Sequence, residues 1–156
     1  MFRPVTGNVD HIFLAATNGG QPFSVDSVRA HTGRGLEGDR NLSPPDRWIG
    51  SGNAITLIES EAIDAVLEEH GIDLRNGRSR RQVVTSGIRL NDLVGREFLV
   101  GDVRCRGVEL CEPCLDLQAW LGDPNTIKAL VHRGGLRADI LDGGTVSVGD
   151  AVTDDA

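Results

Sequence analysis

Two thiols separated by two residues, Cys111-Glu112-Pro113-Cys114, are the strongest chemical signal in this 156-residue chain, whose only other cysteine is Cys105. Pro113 suits the first position of a helix, where its missing N–H would be unpaired anyway. The spacing therefore predicts a helix over residues 113–121, ending before Gly122, with Cys114 in its first turn. A sulfur there would face unpaired backbone N–H groups and the positive end of the helix dipole, both of which stabilise a thiolate. That makes Cys114 a candidate nucleophile or soft metal ligand. The alternative is that both cysteines are small buried side chains, as free cysteines commonly are.

The Cys-x-x-Cys unit admits three readings. A structural zinc site needs about four ligands, usually from two such pairs; no second pair exists, and His132 stands 18 residues beyond Cys114. Thioredoxin-like exchange expects the motif within a βαβ pattern, which the sequence does not display. What is left is a single working thiolate at Cys114, with Cys111 either an auxiliary thiol beside it or a packing residue. Cys105 alternates with Val103 on an expected strand and reads as core.

A net charge of −7 argues against general nucleic-acid binding. Of the 16 basic residues 15 are arginine, Lys128 being the exception, and residues 75–106 hold eight arginines against three acids. Clustered guanidinium groups suit phosphate or carboxylate, although a solvated basic face has the same composition. Gly33-Arg34-Gly35-Leu36-Glu37-Gly38 has the spacing of a dinucleotide fingerprint, but Pro44-Pro45 prevents the long helix such a motif must open. These glycines serve either a tight loop presenting Asp39 and Arg40 or a plain turn. His132-Arg133-Gly134-Gly135 similarly offers either a helix termination or an arginine for an anion.

Short elements have to position these groups. A hydrophobic content of 39% with 25% charged residues is that of an ordinary soluble domain, and no apolar run approaches the roughly 20 residues that span a bilayer. The N-terminus carries no signal-peptide core and three cysteines make no disulfide framework, so a cytoplasmic setting is expected. Periodicity predicts strands over residues 11–16, 23–31, 54–58 and 82–85. A helix is expected to start with Ser60 as its cap, point Ile63, Val66 and Leu67 inward, and stop at Gly71. A helical turn over residues 91–94 precedes a hairpin of residues 96–100 and 103–108 about Gly101-Asp102. Asp123-Pro124 is expected to open a last helix with Ile127, Leu130 and Val131 inward, and residues 136–141 and 145–148 read as a second hairpin. The sum is a mainly β chain with interspersed helices: one barrel-like domain over residues 1–150 and a flexible tail over residues 151–156.

Taken in order, several segments resemble the MOSC family (molybdenum cofactor sulfurase C-terminal domain) in its small stand-alone form. They are Gly35-Leu36-Glu37-Gly38-Asp39-Arg40, Ile55-Thr56-Leu57-Ile58-Glu59, Arg80-Arg81-Gln82-Val83-Val84-Thr85-Ser86-Gly87 and Leu90-Asn91-Asp92-Leu93-Val94-Gly95. The Cys111 to Cys114 motif follows, then Arg133-Gly134-Gly135, Gly143-Gly144 and Val148-Gly149-Asp150. Each piece is weak alone; the ordered set, over roughly residues 24–150, is specific.

The resemblance implies a MOSC-type β-barrel binding molybdenum cofactor (molybdopterin), a pterin with a phosphate and a dithiolene-held metal. It implies Cys114 as the catalytic thiol, either ligating molybdenum or carrying a persulfide. It further implies Asp39, Arg40, Arg80, Arg81, Gln82 and Arg133 as cofactor-binding residues. Two functions follow: reduction of N-hydroxylated compounds with electrons from a partner protein, or sulfur carriage from a cysteine desulfurase. Pyridoxal phosphate is not expected, since the sole lysine, Lys128, lies in an ordinary helix. Asn41 stands where members often have His, Gln82 where Asn is usual, and residues 43–53 form a longer loop than compact members carry.

Overall fold

Strand alternation and glycine-marked turns build the barrel that the sequence predicts. The computed structural model describes residues 5–45 and 51–154. Its strands are β1 (Thr6–Leu14), β2 (Phe23–Val25), β3 (Ser27–His31), β4 (Gly35–Leu36), β5 (Ile55–Glu59) and β6 (Val83–Ser86), then β7 (Glu97–Val100), β8 (Val103–Leu110), β9 (Leu136–Asp142), β10 (Gly144–Ser147) and β11 (Ala151–Thr153). The helices are α1 (Ser60–His70), α2 (Leu115–Leu121) and α3 (Thr126–Leu130), with a 3-10 turn at Leu90–Leu93. Seven strands close a barrel in the order β11-β7-β8-β9-β5-β6-β1, sealed by β11 on β1, and β2 flanks β1. A separate small sheet runs β10-β3-β4.

Two apolar cores explain the sequence pattern. On β1, β5 and β6, Ile12, Leu57 and Val83 point into the barrel, while their neighbours Phe13, Ile58 and Val84 point out beneath the helices. Both faces are therefore buried at these positions, and Ile12-Phe13-Leu14, Leu57-Ile58 and Val83-Val84 read as short continuous apolar runs. The helical layer contributes Ile63 and Val66 from α1, Leu117 from α2 and Leu130 from α3. Each such fully buried side chain contributes about 1.5–3 kcal/mol of transfer free energy.

Several expectations need correction. Strand β5, α1 and the parallel strand β6 do form a βαβ unit, but the cysteine pair follows β8 and lies outside it. Ser60 is the first residue of α1, not its cap; Glu59 holds that position, and Gly71 ends the helix in the left-handed conformation as expected. The run 23–31 breaks at Asp26, sending β2 to the barrel and β3 to the small sheet. The second hairpin does not form, because β10 leaves β9 and pairs with β3. Helix α3 begins at Thr126, later than Asp123-Pro124, and Val131 is exposed. Residues 151–153, expected in a loose tail, are strand β11, hydrogen-bonded to both β1 and β7. The middle of the long loop expected over residues 43–53 lies outside the described residues, as do residues 155–156. Among the described residues no helix is long and apolar enough to cross a membrane.

Candidate functional site

A cleft of about 620 Å³ opens between the start of α2, the arginine loop that precedes β6, the Asn18-Gly19 turn and the β5–β9 pair. Arg40, Arg80, Arg81 and Arg137 meet Cys111, Cys114, Asp116 and Trp120 on its walls.

Cys114 is exposed and serves as the N-cap of the seven-residue helix α2, with Pro113 ahead of the helix. No backbone N–H of α2 hydrogen-bonds to its side chain, so the expected first-turn thiol cradled by helix N–H groups is instead a free sulfur at the cleft mouth. Cys111 is buried; its N–H donates to Gly135 O at 2.7 Å, and its carbonyl accepts from Arg81 Nη2 at 3.1 Å. The two thiols of the pair thus differ in access, Cys111 buried and Cys114 open to solvent. Cys105, fully buried on β8, has its thiol pushed up to about 12, first by burial and then by Asp139.

The arginine-rich stretch disperses on folding. Arg75 pairs with Asp73, Arg89 with Asp92, Arg96 with Asp154, and Arg104 and Arg106 with Glu97. Only Arg80 and Arg81 of that stretch reach the cleft, joined by Arg40 and Arg137 from elsewhere. Arg81 is buried and its guanidinium is spent on backbone carbonyls: Nε on Gly134 at 2.8 Å, Nη2 on Cys111 at 3.1 Å and Nη1 on Ser79 at 3.4 Å. Arg80 differs. Burial, and after it the neighbouring Arg40 guanidinium, lowers its hold on its proton, with Asp39 partly offsetting them. Among the described residues neither Arg40 nor Arg80 has a carboxylate within ion-pair distance.

Asp39 and Gln82 lie behind the wall. The buried Asp39 carboxylate accepts from Ala15 N and Asn41 N at 3.0 Å each and from Gln82 Nε2 at 2.7 Å. Gln82 Oε1 in turn accepts from Thr56 N at 2.9 Å. The two acceptor-rich groups fix Thr56, which lines the cleft, and the loop carrying Arg40. Arg133 is not brought to the cleft: it ties α3 to α1, donating to Ala129 O and to Glu69 Oε2 at 2.7 Å each. Gly134 and Gly135 do not terminate α3 either, since His132 already takes the left-handed conformation. A side chain at Gly134 would collide with the Cys111 carbonyl, and one at Gly135 with the Leu57 carbonyl. These glycines let the chain pass between the cysteine segment and β5.

Sequence reasoning missed Trp120 and Arg137. Trp120 follows Cys114 and the buried Leu117 at three-residue steps, a spacing that marks one helix face. Its ring carries the Arg80 guanidinium at 4.9 Å and that of Arg78 at 5.7 Å. Arg137 sits opposite Thr56 across the β5–β9 pair, and its only sequence signal is a charge at an alternating strand position. A polar recess of about 260 Å³ continues the cleft past Asn41, Thr56 and Arg137.

The barrel and its thiol-and-arginine cleft define a small mainly β protein, and comparisons place it further. The sequence pattern of the MOSC domain matches residues 44–153, and the chain belongs to that family. Comparison with curated proteins finds no match. Solved structures similar in fold include the YuaD protein from Bacillus subtilis, at 15% identity and TM-score 0.81, covering 98% of this chain and 97% of that one. YiiM from Geobacillus stearothermophilus aligns at 16% identity and TM-score 0.73, covering 94% and 74%. YiiM from Escherichia coli aligns at 18% identity and TM-score 0.67, covering 97% and 69%.

Proposed function

We propose that this cleft binds molybdenum cofactor, with Cys114 as the protein's sulfur ligand to molybdenum and Arg40 and Arg80 gripping the phosphate. One observation carries the reading: two neighbouring guanidinium groups, neither within ion-pair distance of a carboxylate among the described residues, share a cleft with an exposed thiol. Like charges so placed call for an anion, and a thiolate is a soft-metal ligand. The volume, about 620 Å³, suits a ligand of cofactor size. Among the described residues no three His, Cys, Asp or Glu side chains are grouped to cage a metal. A metal at Cys114 would therefore have to arrive with most of its ligands, as this cofactor's does.

When bound, the cofactor supplies two-electron redox chemistry. The chain's own residues bind and orient: Arg81 fastens the cysteine segment, Gln82 and Asp39 hold Thr56 and the Arg40 loop, and Trp120 walls the cleft. The reaction we assign is reduction of an N-hydroxylated compound, in which two electrons from a redox partner and two protons convert the N–OH to N–H and water. The test is molybdenum content and reductase activity of protein from a cofactor-producing host. Wild type should carry about one molybdenum per chain, a single thiolate ligand serving a single metal, and Cys114→Ser should lose both metal and activity. Full activity in the Ser variant overturns the assignment.

The exposure of Cys114, with no hydrogen bond from the helix it caps, supports a second reading. A sulfur reachable by another protein can take a persulfide from a cysteine desulfurase and pass it on. Mass spectrometry after incubation with a desulfurase and free cysteine should then find one added sulfur on Cys114. An unmodified thiol beside labelled control acceptors rules this reading out.

A further inference from the structure

We propose that Trp120 is the positioning residue of the anion site, its indole face holding the Arg80 guanidinium inside the cleft beside Arg40. This inference rests on the anion-binding reading above. Left alone, a long side chain beside a second cation would swing toward solvent. Arg80 does not: its guanidinium lies 4.9 Å from the Trp120 ring centre, and its Nη1 donates to the Gly20 carbonyl. Its backbone is held in the left-handed region at φ 61°, a conformation side-chain-bearing residues seldom adopt. Burial, followed by Arg40, disfavours the charge on Arg80, so the arrangement has a cost that something must offset.

An acid partner could anchor Arg80 equally well, but it would cancel the charge that an anion needs. An aromatic face attracts the cation and leaves its charge available. Trp120 is itself well seated. Leu117, one helical turn earlier, is buried in the helical core, and Arg78, whose Nε is fixed on the Asp73 carbonyl at 2.9 Å, also lies over the ring at 5.7 Å. The same indole thus links the helix that Cys114 caps to the loop that carries Arg80.

The experiment titrates inorganic pyrophosphate into wild type, Trp120→Phe and Trp120→Leu by calorimetry at low ionic strength, with the alkylation rate of Cys114 measured alongside. Phe keeps an aromatic face and should bind within about twofold of wild type, while Leu should bind about tenfold more weakly, the worth of a partly desolvated cation–π contact. Cys114 alkylation should be unchanged in both. If Trp120→Leu folds poorly, Trp120→Met carries the same expectation. Wild type that binds no pyrophosphate removes the anion site and this inference together. Wild-type binding with Trp120→Leu undiminished, or with Trp120→Phe as weak as Leu, overturns this inference alone. So does a parallel rise in Cys114 alkylation, which would mark Trp120 as a support for the helix only.

Discussion

Arg81 donates from Nη2 to the carbonyl oxygen of Cys111 at 3.1 Å, fastening the cysteine segment to the loop ahead of β6. With its bonds to Gly134 and Ser79, one guanidinium satisfies three backbone carbonyls that lysine's single ammonium could not span. Arg81→Lys should lower the unfolding free energy by about 3 kcal/mol, since charged hydrogen bonds are lost and buried carbonyls orphaned. Urea unfolding measures this, and a loss below about 1 kcal/mol would remove the structural role given to Arg81.

Thiol reactivity should separate the three cysteines. Cys114 is exposed, Cys111 buried, and the Cys105 thiol both buried and pushed up to about 12. Brief iodoacetamide treatment of native protein should give a single adduct, on Cys114, and none in Cys114→Ser; denatured protein should take all three. Early labelling of Cys111 would contradict the burial of that thiol.

Anion binding should distinguish arginines that the sequence treats alike. Arg40→Ala and Arg80→Ala should each weaken pyrophosphate binding about tenfold, more at low salt than at high. Arg133→Ala should leave affinity unchanged and cost about 1 kcal/mol of stability, because its partners are Glu69 and Ala129 on the helical layer. Equal losses across the three variants would place Arg133 at the site after all.

Glu59 provides a pH signature. Burial first of all, with Glu61 and Asp92 adding to it, holds its carboxyl above the ordinary 4.5 despite the Leu90 N–H and Arg89. The folded protein thus keeps this proton to a higher pH than the unfolded chain does, and stability falls as pH rises from 4.5 through the folded value. Glu59→Gln, whose amide oxygen can still accept from Leu90 N–H, should be more stable than wild type at neutral pH. The difference should vanish below pH 4.5, where both states are protonated. Denaturation midpoints across that range decide it; a gap that widens toward acid would reverse the sign.

Gly135→Ala tests the close passage of the chain beside β5. At φ 111° the position favours glycine, and a Cβ would collide with the Leu57 carbonyl. A loss of about 3 kcal/mol or more is expected, readable as a lowered thermal midpoint. Near-wild-type stability would mean that the strands can part there at little cost.

What the sequence conveyed, and what it withheld, divides by range. The runs behind β5, α1 and the β7–β8 hairpin carry their own periodicity and glycine stops, so local rules reach them. The partner of β10 is β3, more than a hundred residues earlier in the chain, and no local pattern names it. At the cleft, residue type and family motif picked out Cys114, Arg40 and Arg80. The same motif led to Asp39 and Gln82, yet a carboxylate surrounded by three N–H donors reads identically to a ligand contact until the fold reveals its partners. Trp120 gained its place only once α2 lay against the arginine loop, an encounter that no spacing rule encodes.

The pairing of β11 with β1 gives the barrel a seam between its earliest and latest strands. As the chain leaves the ribosome, the β5-α1-β6 unit and the β7–β8 hairpin can assemble from neighbours, but the cylinder stays slit open until residues 151–153 emerge. Ring closure across so long a stretch carries an entropic cost that local hairpins escape. Loss of residues 151–153 would thus unseal the cylinder along one line, between β1 and β7.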